Sequence, residues 1–183
     1  MLNAVELGEY IDARLTHSAF RLETLDHYDD ATDGADVARY LRGEPGPDLA
    51  RKQPWLDRLR HEKEAGILNQ RVHVLRTPLT DYLRYECEWG YRPNARFEDI
   101  RVLDLTETPP PAALVDHDFW IVDNQHGLRM HYDPTGRFEG AEPVDDDQTT
   151  AYRRCRDAAV ATAEPFLDWW ARHPEEWRAN RAA

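Results

Sequence analysis

The chain has 183 residues, which suffices for one domain with a sizeable core. Its 35 acidic and 23 basic residues give a formal net charge of −12, which argues against direct nucleic-acid binding unless basic side chains gather on one face. Six Trp, eight Tyr and five Phe argue against disorder, and no apolar run is long enough to span a membrane. We expect a cytoplasmic protein without membrane association, because the first residues also lack the regions of a signal peptide.

Two cysteines, Cys87 and Cys155, lie far apart, and neither belongs to a CxxC pair. This spacing excludes a zinc site built on cysteine and any disulfide framework. We expect both to be small buried residues, and the sequence predicts no cofactor.

The N-terminal residues predict a helix followed by a strand. Apolar residues at helical spacing predict the helix over 4–15. Phe20 and Leu22 then alternate with Arg21 and Glu23, which is typical of a half-buried strand.

Two further helices are predicted before the middle of the chain. An acidic loop over 29–34 leads into the first of them, and Gly43 ends it. The Gly- and Pro-rich stretch 43–54 is predicted to be a surface loop. The second helix is expected to begin at Pro54 and to stop at Gly66. Its predicted buried face consists of Trp55, Leu56 and Leu59.

The middle of the chain predicts a βαβ unit. Two β-rich runs, 71–75 and 100–105, flank a helix that Thr77 is expected to cap and Pro78 to open, and that Gly90 with Pro93-Asn94 is expected to end. Such units lie in a sheet with helices on its faces, so the two strands should be parallel neighbours.

The C-terminal third predicts β-hairpins and then helices. Strands are expected over 119–122, 128–132 and 137–141, because turn residues separate these alternating runs. A long helix should follow the acidic run 145–147, and Pro165 should kink or end it.

The predicted fold is a single α/β domain over 1–183, with α+β as the alternative. It has a mixed sheet of five or six strands, a core over 17–168 and a helical tail over 169–183. The tail carries three tryptophans that either cap the core or face a partner, namely Trp169, Trp170 and Trp177.

The pieces SAFRLETLDHY, RVHVLRTPLTDYLRYE, EDIRVLDL and DFWIVDNQHGLRMHYDPTGRFEGAE resemble an actinobacterial family of uncharacterised function. The resemblance spans about 17–168, although this chain has Phe97-Glu98 where the family has Gly-Glu. Members are often encoded beside helix-turn-helix regulators, so the resemblance implies such a regulator as a partner. It implies a fold but no reaction.

The order of strand, helix, strand and hairpin is also similar to half of a phospholipase-D-like domain. That chemistry needs a His nucleophile and a Lys, but Asp116 and Asp118 occupy the corresponding positions. A carboxylate replaces neither group, which argues against phosphodiester hydrolysis by that route.

A second candidate site is a weak metal cluster. Six Asp and His residues occur close together in sequence: Asp116, His117, Asp118, Asp123, His126 and His131. Asp118, Asp123 and His131 are the candidate ligands among them, but no metal-binding spacing is present. We favour the interpretation that these residues shape a strand start, a turn and the surface.

The third candidate is an anion site beside the central helix. Ligands in open α/β sheets bind beyond the carboxyl ends of strands, and helix N-termini favour anions. The candidate residues are Arg76, Thr77, Thr80, Arg84, Glu98 and Arg101. The alternative is that Arg76 and Arg101 form ion pairs with Glu86 and Glu98.

No nucleophile has catalytic context, since the only serine, Ser18, lacks a GxSxG turn. The sequence therefore favours a non-enzymatic regulatory protein, a monomer or homodimer that acts by protein contact and binds an anionic small molecule. The rival hypothesis is an enzyme or small-molecule binder with its pocket at Arg76.

Overall fold

The structure is a computed structural model that describes residues 1–29 and 34–181. Its strands are β1 (Ser18–Glu23), β2 (Leu68–Leu75), β3 (Asp99–Asp104), β4 (Phe119–Val122), β5 (His126–Tyr132), β6 (Phe138–Pro143) and β7 (Glu164–Pro165). Within the described residues these seven strands form one mixed sheet in the order β6-β5-β4-β1-β2-β3-β7. The predicted α/β class is confirmed, with more strands than the five or six expected.

The helices lie before, between and after these strands. They are α1 (Ala4–Asp12), α2 (Gly34–Leu41), α3 (Leu49–Glu64), α4 (Asp81–Tyr85), a π-helix (Glu86–Tyr91), α5 (Arg92–Asn94), α6 (Asp146–Thr162), α7 (Phe166–Arg172) and α8 (Arg178–Arg181). Every helix within 1–29 and 34–181 is too short or too polar to cross a lipid bilayer.

The central βαβ unit is confirmed. β2 and β3 pair in parallel, with Arg71 opposite Ile100 and Val72 opposite Arg101. The connecting helix lies across them and buries Leu83.

Three details of that helix differ from the prediction. Its N-cap is Thr80, whose hydroxyl accepts a hydrogen bond from the Leu83 N–H, whereas Thr77 lies outside the helix. Pro78, which follows Thr77 through a cis peptide bond, does not open the helix, because the helix begins at Asp81. The helix does not break at Gly90, which lies inside the π-helix, but it ends with α5 at Asn94, one of the residues expected to end it.

A second βαβ unit, which was not predicted, joins β1 to β2. These strands are also parallel, with Arg21 opposite Arg71. The connection contains α2 and α3, and α3 begins at Leu49 with Asp48 as its cap. The predicted start at Pro54 is therefore wrong: Asp48 caps the helix, which begins five residues earlier at Leu49, and Pro54 is tolerated inside it. The acidic loop predicted over 29–34 falls mainly on residues outside the described ranges.

The two faces of the sheet differ in chemistry. On one face, Phe20, Val72 and Phe119 pack with α6 residues such as Tyr152 in an apolar core. The other face, which we call the polar face, carries Arg21 and Glu23 on β1 and Arg71 and His73 on β2. Because helices cover both faces, these charged residues are drawn into the interior.

The C-terminal segment caps the core. α6 ends at Thr162, before Pro165, and β7 then adds a short antiparallel edge to β3. Trp169 and Trp170 are buried with Phe166 in the core, which favours the core-capping alternative for this segment. Cys87 and Cys155 are both buried and free, as expected.

Candidate functional site

The polar face holds a buried network of charged side chains. Glu23 is 1% exposed, Arg71 5% and His73 0%. Each points to this face because alternate residues of a strand point to the same side. Buried charges persist in proteins when they are paired, so their partners define the site.

Glu23 is the centre of the network. Its carboxylate lies 2.8 Å from Arg21 Nη2 and 3.1 Å from Arg71 Nη1, and it accepts a 2.7 Å hydrogen bond from the Tyr91 hydroxyl. Arg71 donates from Nε to Glu98 at 2.9 Å. The network therefore joins β1, β2, the π-helix and the residue before β3.

These contacts fix the ionisation states. Burial alone would raise the pKa of Glu23, but Arg21 and Arg71 outweigh it and lower that pKa to about 2. Burial opposes the charge on both arginines, yet the Glu23 carboxylate holds the pKa of Arg21 and of Arg71 above the ordinary value. All three groups are thus charged at neutral pH.

His73 extends the network toward β1. Its Nε2 lies 3.1 Å from the Leu25 carbonyl oxygen and its Nδ1 lies 2.6 Å from the Tyr91 hydroxyl. Burial lowers the pKa of His73 and raises the pKa of Tyr91. Since a carbonyl only accepts, Nε2 carries the proton of the neutral ring, and Nδ1 competes with Glu23 for the one Tyr91 proton.

A second buried carboxylate lies beside this network. Asp118 accepts a 2.6 Å hydrogen bond from the Tyr28 hydroxyl and two from Thr24. Burial raises the pKa of Asp118 and of Tyr28. The Arg21 guanidinium lies between two rings, 5.8 Å from the centroid of Tyr28 and 5.6 Å from that of Trp120.

Arg21 also forms a wall of three cavities, of about 230, 420 and 240 Å³, which together we call the Arg21 groove. Arg71, Glu86, Trp55 and Trp120 each line two of the three. The largest cavity has aromatic walls formed by Tyr28, Tyr82, Trp120, Tyr132 and Phe138. Arg21 Nε is buried and has no hydrogen-bond acceptor among the described residues.

Residues 6–171 match the family described as Domain of unknown function (DUF6879). The chain belongs to this family. No curated protein matches the chain at a significant level. The DUF6879 match includes both βαβ units and each of Arg21, Glu23, Arg71 and His73, so the network lies within the family domain.

The DUF6879 structure does not bring the predicted anion-site residues together. Arg76 is exposed beyond the end of β2, and Thr77 donates its N–H to the Thr106 hydroxyl. Arg84 is buried against Glu176, with 2.9 Å between Nε and the carboxylate. Of the six candidates, only Glu98 lines any of the three cavities of the groove.

The alternative interpretation of those residues is also corrected. Arg101 pairs with Asp99 at 3.2 Å, because the two side chains lie on the same side of β3. Glu98 pairs with Arg71, which reaches it from the neighbouring strand.

The three weak metal candidates serve local structure. Asp123 accepts hydrogen bonds from the N–H groups of His17 and Ser18, at 2.8 and 2.9 Å, and so joins β4 to the start of β1. His131 Nε2 lies 3.3 Å from a Glu142 oxygen at the surface, and Asp118 contacts Tyr28 and Thr24 as described above. Within the described residues, these three do not form a group of metal ligands.

The Arg21 groove was not predicted, because the alternating pattern of β1 indicates a half-buried strand. The patterns R-L-E and R-V-H alternate charged and apolar residues, which on an exposed sheet would place the charges in water. A sheet covered on both faces buries them instead. The charged residues on two neighbouring central strands were the signal that could have located the site.

Proposed function

We propose that this chain is a cytoplasmic, non-enzymatic regulatory protein that binds a small anionic molecule in the Arg21 groove and acts by protein contact. The observation that carries the proposal is the buried Arg21 Nε, a charged donor without an acceptor at the wall of all three cavities. A buried donor is costly to leave unpaired, and a ligand oxygen would pair it.

A carboxylate is the group that suits this donor. Arg21 pairs with Glu23 through Nη2, which leaves the Nε edge to donate to an incoming oxygen. The aromatic walls suit a flat apolar body, and a volume of about 420 Å³ falls in the range of small-molecule sites. Asp29 and Glu86 also line this cavity, so we expect an aromatic monocarboxylate and not a polyanion.

The electrostatics of the network favour binding over catalysis. With a pKa of about 2, Glu23 is a weak base at neutral pH. His73 has both ring nitrogens within hydrogen-bond distance of protein groups, and the raised pKa of Tyr91 keeps its proton in place. These side chains have fixed positions and fixed ionisation states, which suits a binding site.

Protein contact is the second part of the proposal. Trp55 lines two of the cavities and is 38% exposed, so a bound ligand would alter the surface around it. A helix-turn-helix regulator is the partner that the family resemblance implies. A pull-down with such a regulator, with and without ligand, tests this part, and no complex at micromolar protein concentration would contradict it.

Calorimetric titration with benzoate, cinnamate and indole-3-acetate tests the ligand class, with the matching amides as uncharged controls. We expect binding of at least one carboxylate and of none of the amides. The variant Arg21→Lys keeps a positive charge for Glu23 but removes Nε, and it should lose binding while remaining folded by circular dichroism.

The matched control is Arg76→Ala, which removes an exposed arginine outside the groove. It should bind like the wild type. Loss of binding in Arg76→Ala with retention in Arg21→Lys would favour the rival pocket at the helix start. Absence of binding by all three carboxylates would contradict the proposal.

A further inference from the structure

A separate cluster of ligating side chains lies where the C-terminal segment meets β3. Asp104 ends β3, Glu107 lies in the turn that follows, and His173 follows α7. One carboxylate oxygen from each acid and one ring nitrogen of His173 all lie within 4.8 Å of one another. None of the three lines the Arg21 groove.

Asp104 is a buried carboxylate in which only one of the two oxygens accepts a hydrogen bond. The residue is 3% exposed, and its Oδ1 accepts a 2.8 Å hydrogen bond from the Thr106 N–H. Its Oδ2 is buried and has no hydrogen-bond partner among the described residues. Burial of an unpaired carboxylate oxygen is costly, and a bound cation would offset that cost.

His173 is oriented as a ligand. Its Nδ1 lies 2.7 Å from the Trp169 carbonyl oxygen, so Nδ1 carries the proton of the neutral ring. The Nε2 lone pair then faces Glu107 Oε1 at 3.1 Å, and two acceptors at that distance need a proton or a metal ion between them. The Trp169 ring stacks on the imidazole at 4.4 Å. A ring N–H donated to a carbonyl is the usual support of a metal-binding histidine.

We propose that Asp104, Glu107 and His173 bind a divalent transition-metal ion of the zinc class, which ties α7 to the end of β3. One imidazole with two carboxylates suits Zn²⁺ and its neighbours better than Mg²⁺ or Ca²⁺. Donors about 2.2 Å from a tetrahedral ion lie about 3.6 Å apart, so the three groups would approach one another by up to about 1.2 Å to complete the site. Glu107 is exposed, which leaves a fourth position open to water.

The surrounding charges fit a divalent ion of moderate affinity. Arg172 Nη2 lies 2.7 Å from both Glu107 and Glu164, so its positive charge competes for Glu107. The three carboxylates of Asp104, Glu107 and Glu164 exceed that arginine by two negative charges. A doubly positive ion therefore neutralises the cluster.

Titration of the chelator-treated, full-length protein with Zn²⁺ tests the proposal, with Co²⁺, Mg²⁺ and Ca²⁺ in parallel. We expect uptake of one Zn²⁺ per chain, visible absorption bands with Co²⁺, and a rise in the thermal midpoint that EDTA reverses. Asp104→Asn and His173→Gln should each weaken Zn²⁺ binding by about tenfold or more. Asp104→Asn preserves shape, so it remains informative if His173→Gln unfolds.

The matched control is His131→Gln, which removes a different His–carboxylate pair, 3.3 Å from Glu142, that has no third ligand among the described residues. It should bind Zn²⁺ like the wild type. The proposal is overturned by a lack of stoichiometric Zn²⁺ uptake, by unchanged affinity in both ligand variants, or by tighter binding of Mg²⁺ or Ca²⁺.

Discussion

Glu23 and Arg71 lie on neighbouring parallel strands, and Arg71 Nη1 is 3.1 Å from both carboxylate oxygens of Glu23. The pair lies diagonally across the strands, since Glu23 is directly opposite His73. Arg71 also pairs with Glu98 in the connection to β3, so it links the two βαβ units that share β2. The two residues therefore line the Arg21 groove and also hold β1 against β2.

Replacement of Glu23 by Gln should strongly destabilise the domain. The variant would leave the buried Arg71 and the partly buried Arg21 with one carboxylate fewer, and breaking a buried pair costs about 3–5 kcal/mol. Urea unfolding measures the loss of the free energy of unfolding. Glu142→Gln, which changes an exposed carboxylate, should stay within about 0.5 kcal/mol of the wild type. A loss in Glu23→Gln as small as in this control would show that the network contributes little.

Stability should fall as the pH drops below 7, because His73 is buried in its neutral form. Its pKa in the folded protein is lowered from the ordinary 6.5, with burial as the largest cause. The unfolded chain therefore binds a proton first. The contribution of neutral His73 to the free energy of unfolding is fully present above pH 6.5 and is lost as the pH falls toward the pKa of the folded state. The free energy of unfolding should therefore decrease with a slope of up to about 1.4 kcal/mol per pH unit.

Urea unfolding at a series of pH values between 7 and 5 measures this slope. The lowered carboxyl pKa of Glu23 acts mainly below its ordinary value of 4.5, and the raised pKa of Asp118 acts in the opposite direction, so comparison with a His73 variant assigns the slope. His73→Gln should flatten the profile, whereas the surface variant His131→Gln should retain it. An identical slope in wild type and His73→Gln would refute this assignment.

The central βαβ unit could be predicted because local signals determine it. Alternating Val72 and Val74, a turn at Pro78 and a second apolar run at Ile100 each depend on nearby residues. The π-helix could not be predicted in this way, since a glycine such as Gly90 is found both at helix ends and inside helices.

The location of the candidate site depends on contacts between residues that are far apart in the sequence. Whether Arg21 faces water or the interior is decided by β1 lying between β4 and β2, and by α2 and α3 lying between β1 and β2 in the chain. Recognition of that connection as a second crossover would have placed two charged strands at the sheet centre. The Arg84–Glu176 pair, 92 residues apart, has no sequence signal of this kind.

That pair anchors the C-terminal segment, so Glu176→Gln should loosen it. Glu176 is 2% exposed, accepts the Leu79 N–H at 3.1 Å and pairs with Arg84 at 2.9 Å. We expect the free energy of unfolding to fall by about 3 kcal/mol. This is the lower end for a broken buried pair, because Arg84 retains its ion pair with Asp81. Chemical unfolding provides the measurement. Glu175→Gln, at the exposed neighbouring position, is the control and should be neutral; equal effects in the two variants would disprove the anchoring role.

Two glycine-to-alanine substitutions should shift stability in opposite directions. At Gly127, an added Cβ would lie 2.7 Å from Thr149 Oγ1 and 2.8 Å from Val144 Cγ2, so β5 and α6 would be forced apart at a cost of about 1–3 kcal/mol. At Gly8, inside α1, a Cβ meets nothing within 4 Å, and Ala should stabilise by about 0.5–1 kcal/mol. Thermal or urea unfolding of both variants tests the pair. A Gly127→Ala protein as stable as the wild type would mean that the contact between β5 and α6 yields easily, contrary to the close approach seen at this glycine.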